Sequence, residues 1–196
     1  MKTLIFDTET TGLADMKTID HNKQPYPVQL ACELIDDENK TVSLISVIIN
    51  PGIPIPDAAS IIHGITTEKA TTYGISMRAA AGLFINFLLR CDRIVAHNID
   101  FDLIITEAMI LRSDLNYDIS KYKSIPRVCT MLSTMNILKL PGKYGYKWPK
   151  LDESYRHLVN PGGFSGAHDA LADVRACKAI LLALEAQNME LKSGKR

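Results

Sequence analysis

Asp7 and Glu9 stand two positions apart in FDTETTGL, residues 6–13, and the chemistry of the chain starts from that spacing. Side chains at i and i+2 of a strand point the same way, so two carboxylates placed there share one face. Like charges side by side on a sheet destabilise it, and burying an unpartnered carboxylate costs more still. Two other places put acids beside the expected end of a strand or start of a helix. One is AHNIDFD, residues 96–102; the other is AHDALAD, residues 167–173, where His168 precedes Asp173 by five positions. Taken singly, each has an ordinary explanation. Asp100, Asp102 and Asp169 suit a first helical turn, where acids cap and favour the dipole. His168 suits a surface and Asp173 a solvated helix face. Neither capping nor solvation accounts for Asp7 and Glu9 on a central strand, and no lysine or arginine occurs in the three motifs. Clustered carboxylates of this kind require a cation, and hard oxygen donors select Mg²⁺ or Mn²⁺. Four of them carry about −4, which two divalent cations neutralise. Two such ions ~3.5–4 Å apart are a known clamp for in-line phosphoryl displacement. A histidine beside them can take the proton of an attacking water near neutral pH.

The elements that must position these groups follow from the apolar pattern. Lys2–Phe6, Val28–Ile35, Thr41–Ile49, Ile94–Ala96 and Arg127–Met131 read as strands, the second and third joined by a turn over residues 36–40. Asp57–Ile62, Met77–Arg90 (capped by Ser76), Phe101–Arg112, Leu132–Leu138, Leu151–Leu158 and Ala167–Leu191 read as helices, the last followed by a basic tail. Residues 15–27 and 51–56 are polar or proline-punctuated links. This order predicts an α/β fold with a mixed five-stranded sheet, antiparallel at one edge and flanked by helices. The 196 residues show no repeat and no second domain, so 1–196 is expected to be a single domain.

Composition narrows the setting. Hydrophobic content is 46% and mean hydropathy +0.02, values of a water-soluble chain. No apolar run approaches the ~20 residues that cross a membrane. Asp7 and Glu9 interrupt any signal-peptide pattern, and four scattered cysteines suit reduced thiols, so a cytoplasmic location without membrane attachment is expected. Net charge is zero, with 22 basic and 22 acidic residues, but the distribution is uneven. Residues 121–150 hold seven basic residues and no acid, interleaved with Tyr122, Tyr144, Tyr146 and Trp148. Basic and aromatic side chains together suit single-stranded nucleic acid, through phosphate pairing and base stacking.

In order and spacing, FDTETTGL, HNIDFD and HDALAD resemble the three motifs of the DnaQ-like DEDDh 3′→5′ exonucleases, a group that includes the proofreading epsilon subunit of bacterial DNA polymerase III. The match runs from Phe6 to Asp173. The resemblance implies that 1–196 is a single exonuclease domain of RNase H-like fold, hydrolysing a terminal phosphodiester to release nucleoside 5′-monophosphates. It also implies Asp7, Glu9, Asp102 and Asp173 as metal-binding acids and His168 as general base. Asp100 and Asp169 fall at variable positions of the family pattern. IIHGIT, residues 61–66, is similar to a family segment beside the terminal nucleotide. Ile62 and His63 are therefore expected to contact substrate, with Thr10 and Leu13 approaching the sugar and base. His97 and Asn98 are expected to be structural, and Trp148, in YKWPKL, to anchor the core. Within residues 139–150, Lys143 and Lys147 are expected to meet substrate phosphates.

The leading expectation is a metal-dependent 3′→5′ exonuclease on single-stranded or frayed DNA. An exoribonuclease acting on RNA or short oligonucleotides is the nearest rival, because the two-metal reaction needs no 2′-hydroxyl. A non-catalytic nucleic-acid-binding module of the same fold ranks last, since no acid of the set and not the histidine is missing. The chain ends about two dozen residues after Asp173, within reach of the last helix. That leaves a stand-alone repair or phage-type nuclease, or a proofreading subunit that docks on a DNA polymerase through its surface.

Overall fold

A computed structural model describes residues 1–18 and 20–194. The end of the expected basic tail, Lys195 and Arg196, lies outside the described residues, as does Ile19 in the first loop. In chain order the elements are β1 (Thr3–Thr10), β2 (Pro27–Ile35), β3 (Thr41–Asn50), α1 (Asp57–His63), α2 (Thr67–Tyr73), β4 (Ile75–Ser76), α3 (Met77–Leu88), β5 (Arg93–Ala96), α4 (Ile99–Arg112), α5 (Ile119–Ser124), β6 (Arg127–Cys129), α6 (Thr130–Leu138), β7 (Pro141–Gly142), β8 (Gly145–Tyr146), α7 (Leu151–Leu158) and α8 (Ala170–Ala186).

Six strands form one mixed sheet in the order β4-β3-β2-β1-β5-β6, with β7 and β8 making a separate hairpin. β1 and β2 are antiparallel, as are β2 and β3, whereas β5 and β6 continue parallel from β1. The expected five strands are all present. The sixth, β4, is two residues long and pairs parallel with Ile49 and Asn50, too short to leave a periodic trace.

Strand alternation divides the core between the two faces of the sheet. Leu4, Phe6, Leu30 and Cys32 face α3, α4 and α5, where Phe84 meets Phe6 at 5.1 Å and Tyr122 edge-on at 5.8 Å. Ile5, Ala31, Ile35 and Val95 face α8 through Val174, Cys177 and Leu181. Asp7 and Glu9 continue the odd-numbered series of β1 and so belong to the α8 face.

Several boundaries differ from expectation, each for a local reason. β1 runs on to Thr10 rather than stopping at Phe6, because β2 pairs with it as far as Pro27. Its register shifts between Glu9 and Thr10, a bulge that re-aims the strand end. β6 ends at Cys129, since Thr130 already opens α6. α8 begins at Ala170, not Ala167, because Gly166 and His168 have φ of 82° and 69° and no helix passes through them. α2 and α5, seven and six residues long, are too short for a helical stripe and were not expected. Trp148 does not anchor the core: it is 53% exposed, and Pro149 beside it is the buried residue.

Candidate active site

Asp102 sits in the first turn of α4, which starts three residues after the carboxyl end of β5. The link is His97-Asn98; Asn98 has φ 70°, a left-handed geometry that asparagine tolerates better than most residues. His97 fixes this turn, with Nδ1 2.9 Å from Thr130 Oγ1 and Nε2 3.0 Å from Pro149 O. Burial pushes its pKa down to about 4, so the ring is neutral and spans the two partners. The expected structural role for His97 is what the geometry gives.

β1 and β5 are parallel neighbours, so Asp102 arrives beside the end of β1. Asp102 Oδ1 accepts both the Thr8 amide at 3.0 Å and the Thr8 hydroxyl at 2.8 Å. Thr8, between the paired acids but on the opposite face, thus ties the second motif to the first. Pattern reading passes over it because its side chain lies on the face of β1 opposite Asp7 and Glu9 and meets Asp102 only in the fold.

α8 supplies the third part. Asp169 is its N-cap, Oδ1 accepting from the amides of Leu171 and Ala172 at 3.1 Å each. Gln29, opposite Glu9 in β2, holds this cap. Its Nε2 donates to Asp169 Oδ2 at 3.0 Å, and its Oε1 accepts the Ala170 amide at 3.2 Å. Gln29 was not expected at the site; its signal in the sequence is a lone amide inside the apolar run VQLACELI. With α8 so placed, Asp173 turns toward Glu9, and its Oδ2 accepts the His168 amide at 3.3 Å. Glu9, Asp173 and His168 each bring one ligand atom within 4.8 Å of the others.

Electrostatics record the crowding. Asp7 is raised well above the ordinary carboxylate range, first by burial, then by the charges of Asp102, Asp173 and Glu9. Glu9 is pushed up to about 8 by burial and then by Asp173 and Asp102. Burial raises Asp102 to about 7 against the two Thr8 hydrogen bonds, and Asp173 to about 6 against the His168 amide. Asp173 Oδ1 is buried without a hydrogen-bond partner. An orphaned carboxylate oxygen inside an all-acid cluster is the environment a divalent cation fits. Asp7, Glu9, Asp102 and Asp173 could hold such ions, with His168 at the open rim.

Beside this cluster lies a cavity of about 310 Å³ whose walls include Thr10, Leu13, Ile62, His63, Glu9 and Phe101. The substrate-contact residues expected from the first motif and from IIHGIT therefore meet around one space next to the acids. His63 Nδ1 accepts the Ile65 amide at 3.1 Å, while its buried Nε2 lacks a well-formed hydrogen bond. Burial lowers its pKa. Leu13 is 92% exposed at the mouth. Lys143 and Lys147 lie on and beside the β7–β8 hairpin and line no part of this cavity.

Comparison with known proteins gives the family and the fold. The exonuclease family profile (RNase_T) matches residues 4–181. An uncharacterized exonuclease, CP81, of Escherichia phage 186 is 32% identical over 187 residues, covering 92% of this chain and 87% of that protein. A DNA polymerase III subunit epsilon-like protein of Rhodobacter capsulatus is 30% identical over 116 residues, 59% of this chain but 15% of the relative. Escherichia coli exonuclease I in complex with a dT13 oligonucleotide superposes with a TM-score of 0.74 at 21% identity. That match covers 95% of this chain and 41% of exonuclease I, so the chain spans about two fifths of its structural neighbour. The mixed sheet with its flanking helices is the RNase H-like fold expected.

Proposed function

We propose, from the premise that this chain belongs to the RNase_T exonuclease family, that residues 1–196 act as one divalent-metal-dependent 3′→5′ exonuclease on single-stranded or frayed DNA, releasing nucleoside 5′-monophosphates. The observation that carries the reading is that Glu9, Asp173 and His168 bring ligand atoms within 4.8 Å of one another, beside the charges of Asp7 and Asp102, while Asp173 Oδ1 has no hydrogen-bond partner among the described residues. Mg²⁺ or Mn²⁺ bound there, two ions in this reading, would supply Lewis acidity at the scissile phosphate and an activated water. The protein's own part is positional. Thr8 orients Asp102, Gln29 and Asp169 orient Asp173, and among the described residues no lysine or arginine forms an ion pair with Asp7, Glu9, Asp102 or Asp173. The His168 ring takes up the proton of the attacking water and releases it to solvent from the rim, where the side chain is exposed. Thr10, Leu13, Ile62 and His63 surround the terminal sugar and base, Leu13 and Ile62 offering apolar surface to the base. The phage and polymerase-linked relatives, and a structural neighbour solved with dT13, support DNA as the substrate.

The test is incubation of 3′-labelled and 5′-labelled DNA and RNA oligonucleotides with Mg²⁺ or Mn²⁺. The reading expects 3′ label released first as mononucleotide, shortening ladders on the 5′-labelled strand, faster loss of DNA than RNA, and no reaction in a chelator. Release from the 5′ end, or undiminished cleavage in the chelator, overturns it.

A further inference from the structure

The β7–β8 hairpin and the residues just after it carry exposed aromatic surface. Tyr144 at its tip is 90% exposed, Tyr146 51% and Trp148 53%. Single exposed aromatics are ordinary, but three within five residues concentrate aromatic surface on one segment, and exposed apolar surface so concentrated marks contact sites. The tip is built for display. Gly142 and Gly145 pair across the hairpin, and Gly145, at φ 120°, closes a turn whose two central residues, Lys143 and Tyr144, point outward. Lys143 Nζ lies 5.1 Å from the Tyr144 ring centroid, setting a cation over an exposed ring.

The base of the hairpin is fixed to the catalytic end of the sheet. The Lys147 amide donates to Leu140 O at 2.9 Å, and the following Pro149 carbonyl accepts from His97. His97 immediately follows β5 and precedes Asp102 by five residues, so the hairpin springs from the turn that delivers the second motif. Around it, residues 121–150 contain no acid. Glu153 of α7 reaches the hairpin but is already engaged by Lys147 Nζ at 2.6 Å and by the Lys150 amide at 2.7 Å.

We propose that this hairpin is a stacking platform for single-stranded nucleic acid, taking bases upstream of the terminal nucleotide on Tyr144 and Tyr146 while Lys143 meets a phosphate. Every base has a π-face, so the platform is sequence-tolerant, and a polyanion suits a basic, acid-free segment. The inference rests on the nucleic-acid reading above, but not on cleavage.

The test is fluorescence anisotropy of a 5′-labelled oligothymidylate about a dozen nucleotides long, with chelator present to stop turnover. Tyr144→Ala/Tyr146→Ala should weaken binding about tenfold or more, and Tyr144→Phe/Tyr146→Phe, which keeps both rings, should bind like the parent. Equal affinity of the alanine variant and the parent overturns the platform. So does a parent that binds no oligonucleotide, or an alanine variant that changes oligomeric state on size exclusion with unaltered binding, which would assign the patch to a second copy of the chain. Failure of the exonuclease reading shows separately, as a parent that binds the oligonucleotide but releases no mononucleotide when Mg²⁺ is restored.

Discussion

At Asp7, burial and four neighbouring carboxylates act in one direction, keeping the proton on where an ordinary aspartate has lost it. An acid whose folded pKa is raised stabilises the fold below its unfolded value near 4, and that contribution is lost as pH rises through the folded value. Here the folded values are about 6 for Asp173, 7 for Asp102 and 8 for Glu9, with Asp7 also raised. The metal-free protein should therefore lose melting temperature between about pH 5 and pH 8, and Asp7→Asn should reduce that loss. His97 titrates alike in both proteins and cancels in the comparison. Identical pH profiles for parent and variant would contradict the crowding. Asp7→Ala and Asp102→Ala should abolish Mg²⁺-dependent cleavage while the fold persists, because each removes repulsion together with a ligand. His168→Ala should lose roughly 10²–10⁴-fold in rate with divalent binding retained, read by single-turnover kinetics. Asp7 and Glu9 stood out because neither capping nor solvation explains them on a central strand, whereas Asp102, Asp173 and His168 stood out only in combination and through the resemblance to the exonuclease motifs. Thr8 did not, since its role depends on a backbone amide and hydroxyl that meet Asp102 only after folding.

The element that decides the geometry is the amino end of α8, and one amide side chain on β2 holds it. Gln29→Glu leaves an acceptor for the Ala170 amide but sets a charge against Asp169. The resulting displacement of His168 and Asp173 should lower kcat by about 10²-fold with a smaller change in KM. Adding Asp169→Asn restores the pair, with the asparagine amide donating to the introduced carboxylate and its oxygen still capping Leu171 and Ala172. Recovery of kcat in the double variant is the expected result; a double variant as slow as Gln29→Glu would contradict the positioning role. Gly74, between α2 and β4, shows a tighter constraint. A Cβ there would lie 2.3 Å from Ala70 O and 2.6 Å from Asn50 N, both backbone atoms that cannot swing aside. Gly74→Ala should cost about 1–3 kcal/mol in urea denaturation. The long strands and the helices α3, α4 and α8 were legible from period and caps. α2, β4 and α5 were not, because elements this short owe their conformation to neighbours rather than to their own pattern.

Across the whole molecule, acidic and basic residues balance to zero, yet Asp7, Glu9, Asp102 and Asp173 stand at the carboxyl end of β1, just past that of β5 and at the amino end of α8, while residues 121–150 hold no acid. Ligands of open α/β sheets bind at such strand ends. Among the described residues no helix is long and apolar enough to cross a membrane. Lys143 and Lys147 looked equivalent in the sequence, but Glu153 neutralises Lys147, which no local pattern reveals. Lys143→Ala should therefore reduce the salt slope of oligonucleotide binding by about 0.7, one single-stranded phosphate contact, and Lys147→Ala by less. Equal slopes for parent and Lys143→Ala would remove Lys143 from the contact. The catalytic expectations depend on the acid cluster being a divalent-cation site. Calorimetric titration of Mn²⁺ into the metal-free protein tests that most directly. Saturable uptake of two ions per chain, lost in Asp7→Asn, is the predicted result; no saturable uptake, or the same uptake in Asp7→Asn, would contradict it.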